Sequence, residues 1–434
     1  IFITAHSQNL RRKIDALVSA TADSSLASII NDILKEHPSP DTLLDLLKEA
    51  SLGKLEKTGL IRAENRCTDK VIRPFYWYVP ATYNPAKKTS LIVYLHGSVS
   101  RDTINEKTVE NNIKGTPYVK KNIYLPMVEQ NGYILLFPLG QKGATWWDSV
   151  GASNILAQIR ITKSRFNIDD TRIYLSGFSD GASGSFFMAM SHPTDFAAFI
   201  PLNGYPALGS RFGTKQNYFY NLYNKPLHVI NTGRDILYPD SAIRPIIELA
   251  QQAGANLMYR SYEEVGHVLG YSAQEIPRIE KFIETHPRAV HPPLIKWETA
   301  YSESGRCAWL SIDKINSTAR AAAWHEEYNM DVVDSKIAWG FEQDETYKSG
   351  GVRVAKTEGD TSLCASVGIK QGDIIVKMDG KPVKTMQDAI PIKNDKKRGD
   401  SVEVTVLREG KEFLLKGKLP PPGTVKLFNY DLPS

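Results

Sequence analysis

The spacing of apolar residues divides the chain into segments of different character. In the first sixty or so residues, leucines and isoleucines recur three and four positions apart, as in Leu10, Ile14 and Leu17. That period is typical of amphipathic helices, which bury one face and leave the other in water. The pattern therefore predicts an N-terminal helical region over residues 8–62.

Further along, short apolar runs alternate with longer helical stretches. Strands are predicted at residues 75–79, 91–95, 133–137, 172–175, 199–202, 227–231 and 257–262, and helices at 155–165, 181–190, 242–252 and 273–284. Because parallel strands need long crossover connections, this alternation predicts a mostly parallel sheet with helices on both faces. The fold class is therefore α/β, with this domain spanning residues 63–290.

The pattern changes again after a proline-rich break at residues 286–293. Residues 291–335 are interpreted as a linker with short strands at 295–299 and 308–312. From 336 to 422, short strands return with glycine-containing turns. Since prolines and glycines punctuate regular structure, these residues are predicted to form a separate β-rich domain.

Composition and charge exclude several classes of function. Of the 434 residues 42% are hydrophobic and 23% charged, which suffices for more than one core. The net charge is only +5, and the densest basic cluster, at residues 393–398, is typical of a solvated loop. Neither feature indicates nucleic-acid binding. No apolar run approaches the roughly 18 residues that a membrane span requires, so no membrane span is predicted.

The start of the chain and its cysteines bear on localisation. Residues 1–7 are apolar and end in a small-x-small pattern that signal peptidase accepts. This favours a secreted or periplasmic protein, the alternative being a fragment that begins in an ordinary strand. Cys67, Cys307 and Cys364 form no C-x-x-C pair, which argues against zinc and thioredoxin-type sites. A disulfide between Cys67 and Cys307 and separate buried thiols both remain open.

One short motif carries the first candidate for chemistry. Residues 177–181 read G-x-S-x-G, with Ser179 at the centre, between the predicted strand 172–175 and the predicted helix 181–190. A nucleophile elbow needs this strand–turn–helix context, since the strained turn projects the serine hydroxyl and its glycines avoid backbone crowding. The alternative is a glycine-rich turn that only packs against the sheet. We predict Ser179 as a nucleophile.

A serine nucleophile needs a base, and the base needs an acid that orients it. In this type of fold the acid and then the histidine follow the serine along the chain. Asp235 and His267 each lie in a loop after a predicted strand, where the carboxyl ends of parallel strands meet. Asp240 competes for the acid role but is expected to cap a helix. The sequence therefore predicts a Ser179–His267–Asp235 triad.

The oxyanion of an acyl-transfer intermediate needs backbone N–H donors. Asp180, directly after the nucleophile, is predicted to supply one of them. The strand at 91–95 leads into His96 and Gly97, so Ser98 is predicted to supply the other N–H, with Val99 as the alternative. His96 and Gly97 are also candidate substrate contacts.

Trp147 lies in a loop after another predicted strand. It is a candidate substrate contact, although packing in the core is equally compatible with its position. The sequence contains no H-E-x-x-H motif and no clustered His/Asp set, so neither a metal nor a cofactor is predicted.

These motifs, together with Trp146-Trp147, Leu202-Asn203-Gly204 and Gly266-His267, resemble an esterase branch of the α/β-hydrolases. That branch includes polyhydroxybutyrate depolymerases, feruloyl and acetylxylan esterases and dienelactone-hydrolase-like enzymes. The resemblance implies the triad and a small or polymeric ester substrate. Ser98 departs from it, since many relatives have Cys or Gly there. A serine peptidase of the same fold remains an alternative, because the triad does not distinguish esters from amides.

The C-terminal domain resembles a bacterial-type PDZ domain. Residues 368–375 (GIKQGDII) and 378–383 (MDGKPV) carry this similarity. Residues 338–341 resemble the loop whose amides bind a peptide C-terminus, which implies peptide contacts at Trp339, Gly340 and Phe341. A groove filled from within the chain is the alternative. A non-catalytic adaptor that binds peptides through this domain is the third hypothesis for the whole chain.

Overall fold

The computed structural model describes residues 5–19, 23–50, 57–99, 122–207, 218–235, 237–238, 240–316, 330–334, 337–344, 346–359, 362–421 and 423–427. The chain divides into two compact units between residues 323 and 324. The domain boundaries drawn from the sequence, at 8–62, 63–290, 291–335 and 336–422, remain predictions.

The described helices of the first unit are α1 (Ala5–Ser19), α2 (Asp23–Leu34), α3 (Pro40–Ala50), α4 (Leu125–Asn131), α5 (Ser149–Arg165), α6 (Asp180–Ser191), α7 (Asp240–Gln252) and α8 (Ser272–Thr285), with short 3₁₀-helices at Phe219–Asn224 and Ser302–Ser304. Its strands are β1 (Gly59–Arg66), β2 (Ile72–Val79), β3 (Thr89–Leu95), β4 (Ile134–Phe137), β5 (Ile168–Phe178), β6 (Ala198–Leu202), β7 (Leu227–Thr232), β8 (Leu257–Tyr262), β9 (Arg306–Cys307) and β10 (Leu310–Ser311).

Eight of these strands form one mixed sheet in the order β1-β2-β4-β3-β5-β6-β7-β8. The six strands from β4 to β8 in that order are parallel, whereas β1 and β2 add antiparallel at one edge. Every side chain of β3, β4, β6 and β7 is buried. Because successive side chains of a strand point to opposite faces, both faces of the sheet are covered. The predicted α/β-hydrolase sheet is confirmed.

Two local predictions were wrong. Residues 59–62, assigned to the helical region, are the first residues of β1. Partly buried and exposed side chains alternate along β1, as is typical of an edge strand. Residues 295–299 form no strand; the side-chain amide of Asn221 bonds both main-chain groups of Glu298, at 2.9 Å each. Asn224 likewise accepts from the N–H of Lys296 at 3.0 Å. Two asparagine side chains thus take the place of a partner strand.

The N-terminal helices and the cysteines complete the first unit. Helices α1 and α2 pack around Leu10, Ile14 and Ile33. All three cysteines are buried free thiols, so the Cys67–Cys307 disulfide that the sequence left open is not formed. Nowhere among the described residues is there a helix long and apolar enough to cross a membrane.

The second unit is a small β-rich domain. Its elements are β11 (Met330–Asp334), β12 (Phe341–Gln343), β13 (Val352–Thr357), α9 (Leu363–Val367), β14 (Ile374–Met378), β15 (Lys381–Pro382), α10 (Met386–Asn394), β16 (Ser401–Arg408), β17 (Lys411–Lys418) and β18 (Gly423–Leu427). Its main sheet has the order β12-β13-β14-β16-β17, while β11 pairs antiparallel with β18. Asp379 and Gly380 both have positive φ and join β14 to β15, as expected for a tight hairpin turn.

A buried charge network ties α8 to the last two strands of the large sheet. The Glu275 carboxylate is fully buried and accepts from His228 Nε2 at 2.9 Å, from Arg260 Nε at 2.9 Å and from the hydroxyl of Tyr262. Burial alone would raise the pKa of Glu275, but the hydrogen bonds of His228, Tyr262 and Arg260 outweigh it and lower the pKa to about 2. The network therefore favours the charged carboxylate.

This lowered pKa predicts a loss of stability in acid. A depressed carboxyl pKa contributes stability above pH 4.5 that is lost as the pH falls towards 2, here about 3 kcal/mol. We expect the urea midpoint of the wild type to fall between pH 5 and pH 2 more steeply than that of Glu275→Gln, which lacks this titration. Glu284→Gln, an exposed change in the same helix, should keep the wild-type slope. Parallel profiles for wild type and Glu275→Gln would contradict the prediction.

Candidate active site

Ser179 lies in a strained turn between β5 and α6. Its φ of 58° and ψ of −122° are unusual for a residue with a side chain. The flanking glycines make the turn possible, because a Cβ on Gly177 would lie 2.4 Å from the carbonyl carbon of Gly181, and one on Gly181 would lie 2.0 Å from the carbonyl oxygen of Leu95. The G-x-S-x-G motif thus has the strand–turn–helix geometry that the sequence predicted.

Three side chains from separate loops meet beside this turn. The Nε2 atom of His267 is 2.9 Å from Ser179 Oγ, and its Nδ1 atom is 2.7 Å from Asp235 Oδ2. A carboxylate only accepts hydrogen bonds, so Nδ1 carries the ring proton and Nε2 presents its lone pair to the serine hydroxyl. The residues predicted as a triad are therefore connected in the expected order.

The Asp235 carboxylate is almost completely enclosed, with 1% of the residue exposed. Its Oδ1 atom accepts from the backbone N–H groups of Leu237 and Tyr238 at 2.9 and 2.8 Å. Oδ2 accepts from His267 and from Asn203 Nδ2 at 3.0 Å. Burial would raise the pKa of Asp235, but the hydrogen bond and charge of His267, with the other donors, lower it. Asp235 therefore stays ionised.

Asp240, the rival acid in the sequence, has a different environment. It is the first residue of α7 and accepts from Arg244 Nε at 2.8 Å and from the hydroxyl of Tyr259. Its carboxylate is thus bonded to its own helix and to β8, whereas Asp235 is bonded to His267.

Sequence reasoning assigned no role to Asn203 or Tyr271. The Asn203 amide donates to Asp235 and, at 2.6 Å, to Thr232 Oγ1, while its carbonyl oxygen accepts from the Tyr271 hydroxyl at 2.6 Å. Asn203 follows β6 directly with a positive φ of 54°. An asparagine at the carboxyl end of a central strand was the available signal.

The loop after β3 lies against the nucleophile. A Cβ on Gly97 would come within 3.0 Å of Ser179 Cβ, so the loop backbone approaches the serine closely. The Val99 N–H donates to Asp180 Oδ2 at 3.0 Å, and Asp180 Oδ1 accepts from the Tyr238 hydroxyl at 3.2 Å. The Asp180 side chain therefore links the loop after β3 to the loop that carries Asp235.

The His96 side chain stabilises the loop after β3 through hydrogen bonds of its ring. Its Nε2 atom accepts from the Gly140 N–H at 3.0 Å, and its Nδ1 atom is 2.7 Å from the Gly97 carbonyl oxygen. The carbonyl oxygen of His96 accepts from Trp146 Nε1 at 2.8 Å. Trp147 is 5% exposed. The substrate contacts expected of His96, Gly97 and Trp147 remain predictions.

Among the residues that the structure describes, no group of three or more His, Cys, Asp or Glu side chains is arranged to hold an ion. Aromatic rings instead enclose the imidazole of His267, with Phe178 at 4.8 Å and Tyr238 at 5.7 Å between ring centroids.

The second unit presents a separate candidate site at residues 338–341. The carbonyl oxygens of Ala338, Trp339 and Gly340 accept from the N–H groups of residues 363, 364 and 358 at 2.8–3.0 Å. Because C=O and N–H of one planar peptide point in opposite directions, the N–H groups of residues 339–341 face away from these donors. A Cβ on Gly340 would lie 1.9 Å from Ser362 Oγ, so this loop needs its glycine.

Fold and site together define the first unit as an α/β-hydrolase fold with a hydrogen-bonded Ser–His–Asp array. The profile of the PDZ domain family matches residues 337–419, so the second unit contains a PDZ domain. The chain is similar to Acetylxylan esterase A of Emericella nidulans, with 31% identity over 144 residues and coverage of 31% of this chain and 42% of that enzyme. Acetylxylan esterase A of Aspergillus oryzae is 28% identical over 143 residues, with coverage of 30% of this chain and 42% of the enzyme. The chain thus spans less than half the length of these relatives.

Solved structures with a similar backbone include a thermostable esterase and Est1E from Butyrivibrio proteoclasticus. The first has a TM-score of 0.41 and 20% identity, covering 53% of this chain and 63% of its own. The second has a TM-score of 0.39 and 15% identity, covering 52% of this chain and 98% of its own.

Proposed function

We propose that the first unit hydrolyses a carboxylic ester through an acyl-enzyme formed on Ser179. The observation that carries this proposal is the continuous set of hydrogen bonds from Ser179 through His267 to Asp235, at 2.9 and 2.7 Å. A serine hydroxyl is a weak nucleophile until a positioned base accepts its proton, and this array supplies such a base.

In the proposed reaction, Ser179 Oγ attacks the ester carbonyl carbon while its proton passes to His267 Nε2. The carbonyl π bond opens to an oxyanion, and the C–O bond to the alcohol then breaks as His267 protonates the leaving oxygen. Water repeats the sequence on the acyl-enzyme and releases the acid. Asp235 stays ionised throughout and stabilises the imidazolium.

The oxyanion is proposed to bind the backbone N–H groups of Asp180 and Ser98. The close approach of Gly97 to Ser179 supports a donor from the loop after β3. The neighbouring Val99 N–H already donates to the Asp180 carboxylate, which favours Ser98 over Val99. Preorganised donors of this kind lower the barrier because they need no reorientation as charge develops.

For the substrate we propose an acetyl ester of a polysaccharide, with small aryl acetates as convenient probes. The similarity to acetylxylan esterases supports this choice. The geometry of the triad alone supports acyl transfer from esters and amides equally, so a peptidase and a non-catalytic adaptor remain as rivals.

Purified protein should be tested on p-nitrophenyl acetate, acetylated xylan and aminoacyl p-nitroanilides, with a fluorophosphonate probe to label the nucleophile. We expect turnover of the acetyl esters and a label on Ser179. Faster turnover of the anilides would favour the peptidase. Failure of the probe to label Ser179, with no turnover of any substrate, would favour the hypothesis of a non-catalytic adaptor. Export from the cell stays a prediction that fractionation would test.

We also propose that the PDZ domain binds the C-terminal carboxylate of a peptide at residues 338–341. The orientation of three successive N–H groups away from the domain's own donors supports this, since successive backbone amides can bind an anion. The Glu358 N–H donates to the Gly340 carbonyl, so the opposed residues Phe341 and Thr357 are a non-hydrogen-bonded pair. The main-chain N–H and C=O of Phe341 therefore point away from β13, towards the edge of the described sheet. A peptide would extend the sheet there.

Changing Gly340 should abolish peptide binding. In Gly340→Ala the new Cβ would collide with Ser362, and a φ of +75° is unfavourable for alanine, so the loop must move. Fluorescence polarisation with a library of labelled peptides that end in a free carboxylate would measure this, with amidated peptides as the ligand control. Gly410→Ala, with a φ of +77° and no atom within 4 Å of its Cβ, should bind like the wild type. Equal binding of amidated peptides would contradict the proposal.

A further inference from the structure

Asn203 lies at the centre of a buried network that joins both loops of the proposed triad. It is fully buried, as is Thr232, and Asp235 and Tyr271 are each 1% exposed. Through Asp235 it contacts the loop after β7. Through Thr232, whose hydroxyl donates to the Gly266 carbonyl at 2.8 Å, it reaches the residue before His267.

The network allows only one orientation of the Asn203 amide. The carboxylate of Asp235 can only accept, so the amide must present its nitrogen there. The single hydroxyl proton of Thr232 goes to Gly266, so its oxygen must also accept from the amide. Both amide protons are then used, and the amide oxygen accepts the proton of Tyr271.

We propose that Asn203 is a positioning residue for the triad carboxylate, held in its orientation by the Tyr271 hydroxyl, and that this pair sets the proton affinity of His267. The inference rests on the proposed function. The amide nitrogen of Asn203 donates to Asp235 Oδ2, the same oxygen that accepts from His267. Each donor on that oxygen stabilises the anion and thus weakens its attraction for the imidazolium.

Loss of the Tyr271 hydroxyl should therefore change the proton affinity of His267 in one direction. Without Tyr271, the amide oxygen of Asn203 loses the donor that polarises and anchors the amide, so its donation to Asp235 weakens. A weaker donor leaves the carboxylate less stabilised, so His267 holds its proton more tightly. A residue that only filled space would not change this affinity.

Other titratable groups surround the network from several elements. They comprise Tyr94 of β3, Tyr124 before α4, Asp180 of α6, Tyr238 in the loop before α7, Glu275 of α8, and the exposed Arg234–Glu264 pair beside His267. A Tyr271→Phe substitution leaves all of them in place, so a shift can be assigned to the lost hydroxyl.

The test is the NMR titration of His267 in Tyr271→Phe, with the signal assigned by its absence in His267→Gln. We expect the pKa of His267 to rise by about one unit, a tenfold change in proton affinity. The acid limb of kcat/KM should move to higher pH by the same amount, and kcat at pH 7 should fall about tenfold with KM unchanged. Tyr174→Phe is the matched control, since its buried hydroxyl donates to the Ile283 carbonyl at 2.6 Å.

A second variant tests the same inference if Tyr271→Phe does not fold. Asn203→Leu has a side chain of similar size but no donor for Asp235 Oδ2, and should raise the pKa of His267 at least as much. Wild-type titration of His267 in a folded Tyr271→Phe or Asn203→Leu protein would overturn the inference. The titration needs no substrate, so a shifted pKa in a protein that hydrolyses no ester would refute the proposed function alone.

Discussion

Replacing Ser179 with alanine is expected to lower kcat on p-nitrophenyl acetate by about 10⁶-fold, because the triad acts as a unit and His267 then has no hydroxyl to activate. Substrate binding should change little, since the substitution removes a single oxygen atom. Initial rates at saturating substrate measure the effect, and acetate release from acetylated xylan should fall in parallel.

Ser185→Ala is the matched control for this change. It removes a serine hydroxyl from the same helix, α6, where Ser185 Oγ donates to the Leu175 carbonyl at 3.2 Å. We expect its kcat to remain close to wild type. Equal rates for wild type and Ser179→Ala would exclude Ser179 as the nucleophile and would point to a contaminating esterase or another residue.

The second large effect is expected for Asp235→Asn, with a fall in kcat of about 10⁴-fold. The two backbone N–H groups of residues 237 and 238 hold Oδ1, so the amide oxygen of the variant would take that place. The new NH₂ group would then face His267 Nδ1, which must turn a lone pair towards it. The ring proton would move to Nε2 and face Ser179, so the base could no longer accept the serine proton.

Steady-state kinetics and the rate of fluorophosphonate labelling would both report this change. Asp240→Asn is the control, because Asp240 bonds Arg244 and Tyr259 instead of the imidazole. We expect it to keep kcat close to wild type while lowering stability. The opposite outcome, with Asp240→Asn inactive and Asp235→Asn active, would transfer the acid role to Asp240.

The two variants also separate chemistry from folding. Asp235 has four hydrogen-bond donors, and in the variant two of them, Asn203 and His267, would face an NH₂ group. Thermal unfolding of Asp235→Asn should therefore be measured beside the kinetics. A folded but inactive protein supports the tautomer argument, whereas an unfolded one calls for the milder Tyr271→Phe test of the same carboxylate.

Local sequence determined the strand–turn–helix around Ser179, because the turn depends on two glycines and a serine within five residues. It also determined the parallel strands β3, β4, β6 and β7, whose apolar runs are buried on both faces. The hairpin at Asp379–Gly380 follows from residues that tolerate positive φ. In each case the physical cause acts between neighbours along the chain, so the pattern is visible without coordinates.

Only the tertiary structure decided which distant groups meet. Asp235 rather than Asp240 bonds His267. The Asp180 carboxylate accepts a hydrogen bond from the Val99 N–H. Cys67 and Cys307 are free thiols and form no disulfide. The strand-like run at 295–299 pairs with asparagine side chains, and Asn203 meets Tyr271 across 68 residues. Such contacts depend on strand order and loop direction, which no local pattern encodes, and the most consequential of them surround the buried carboxylate beside His267.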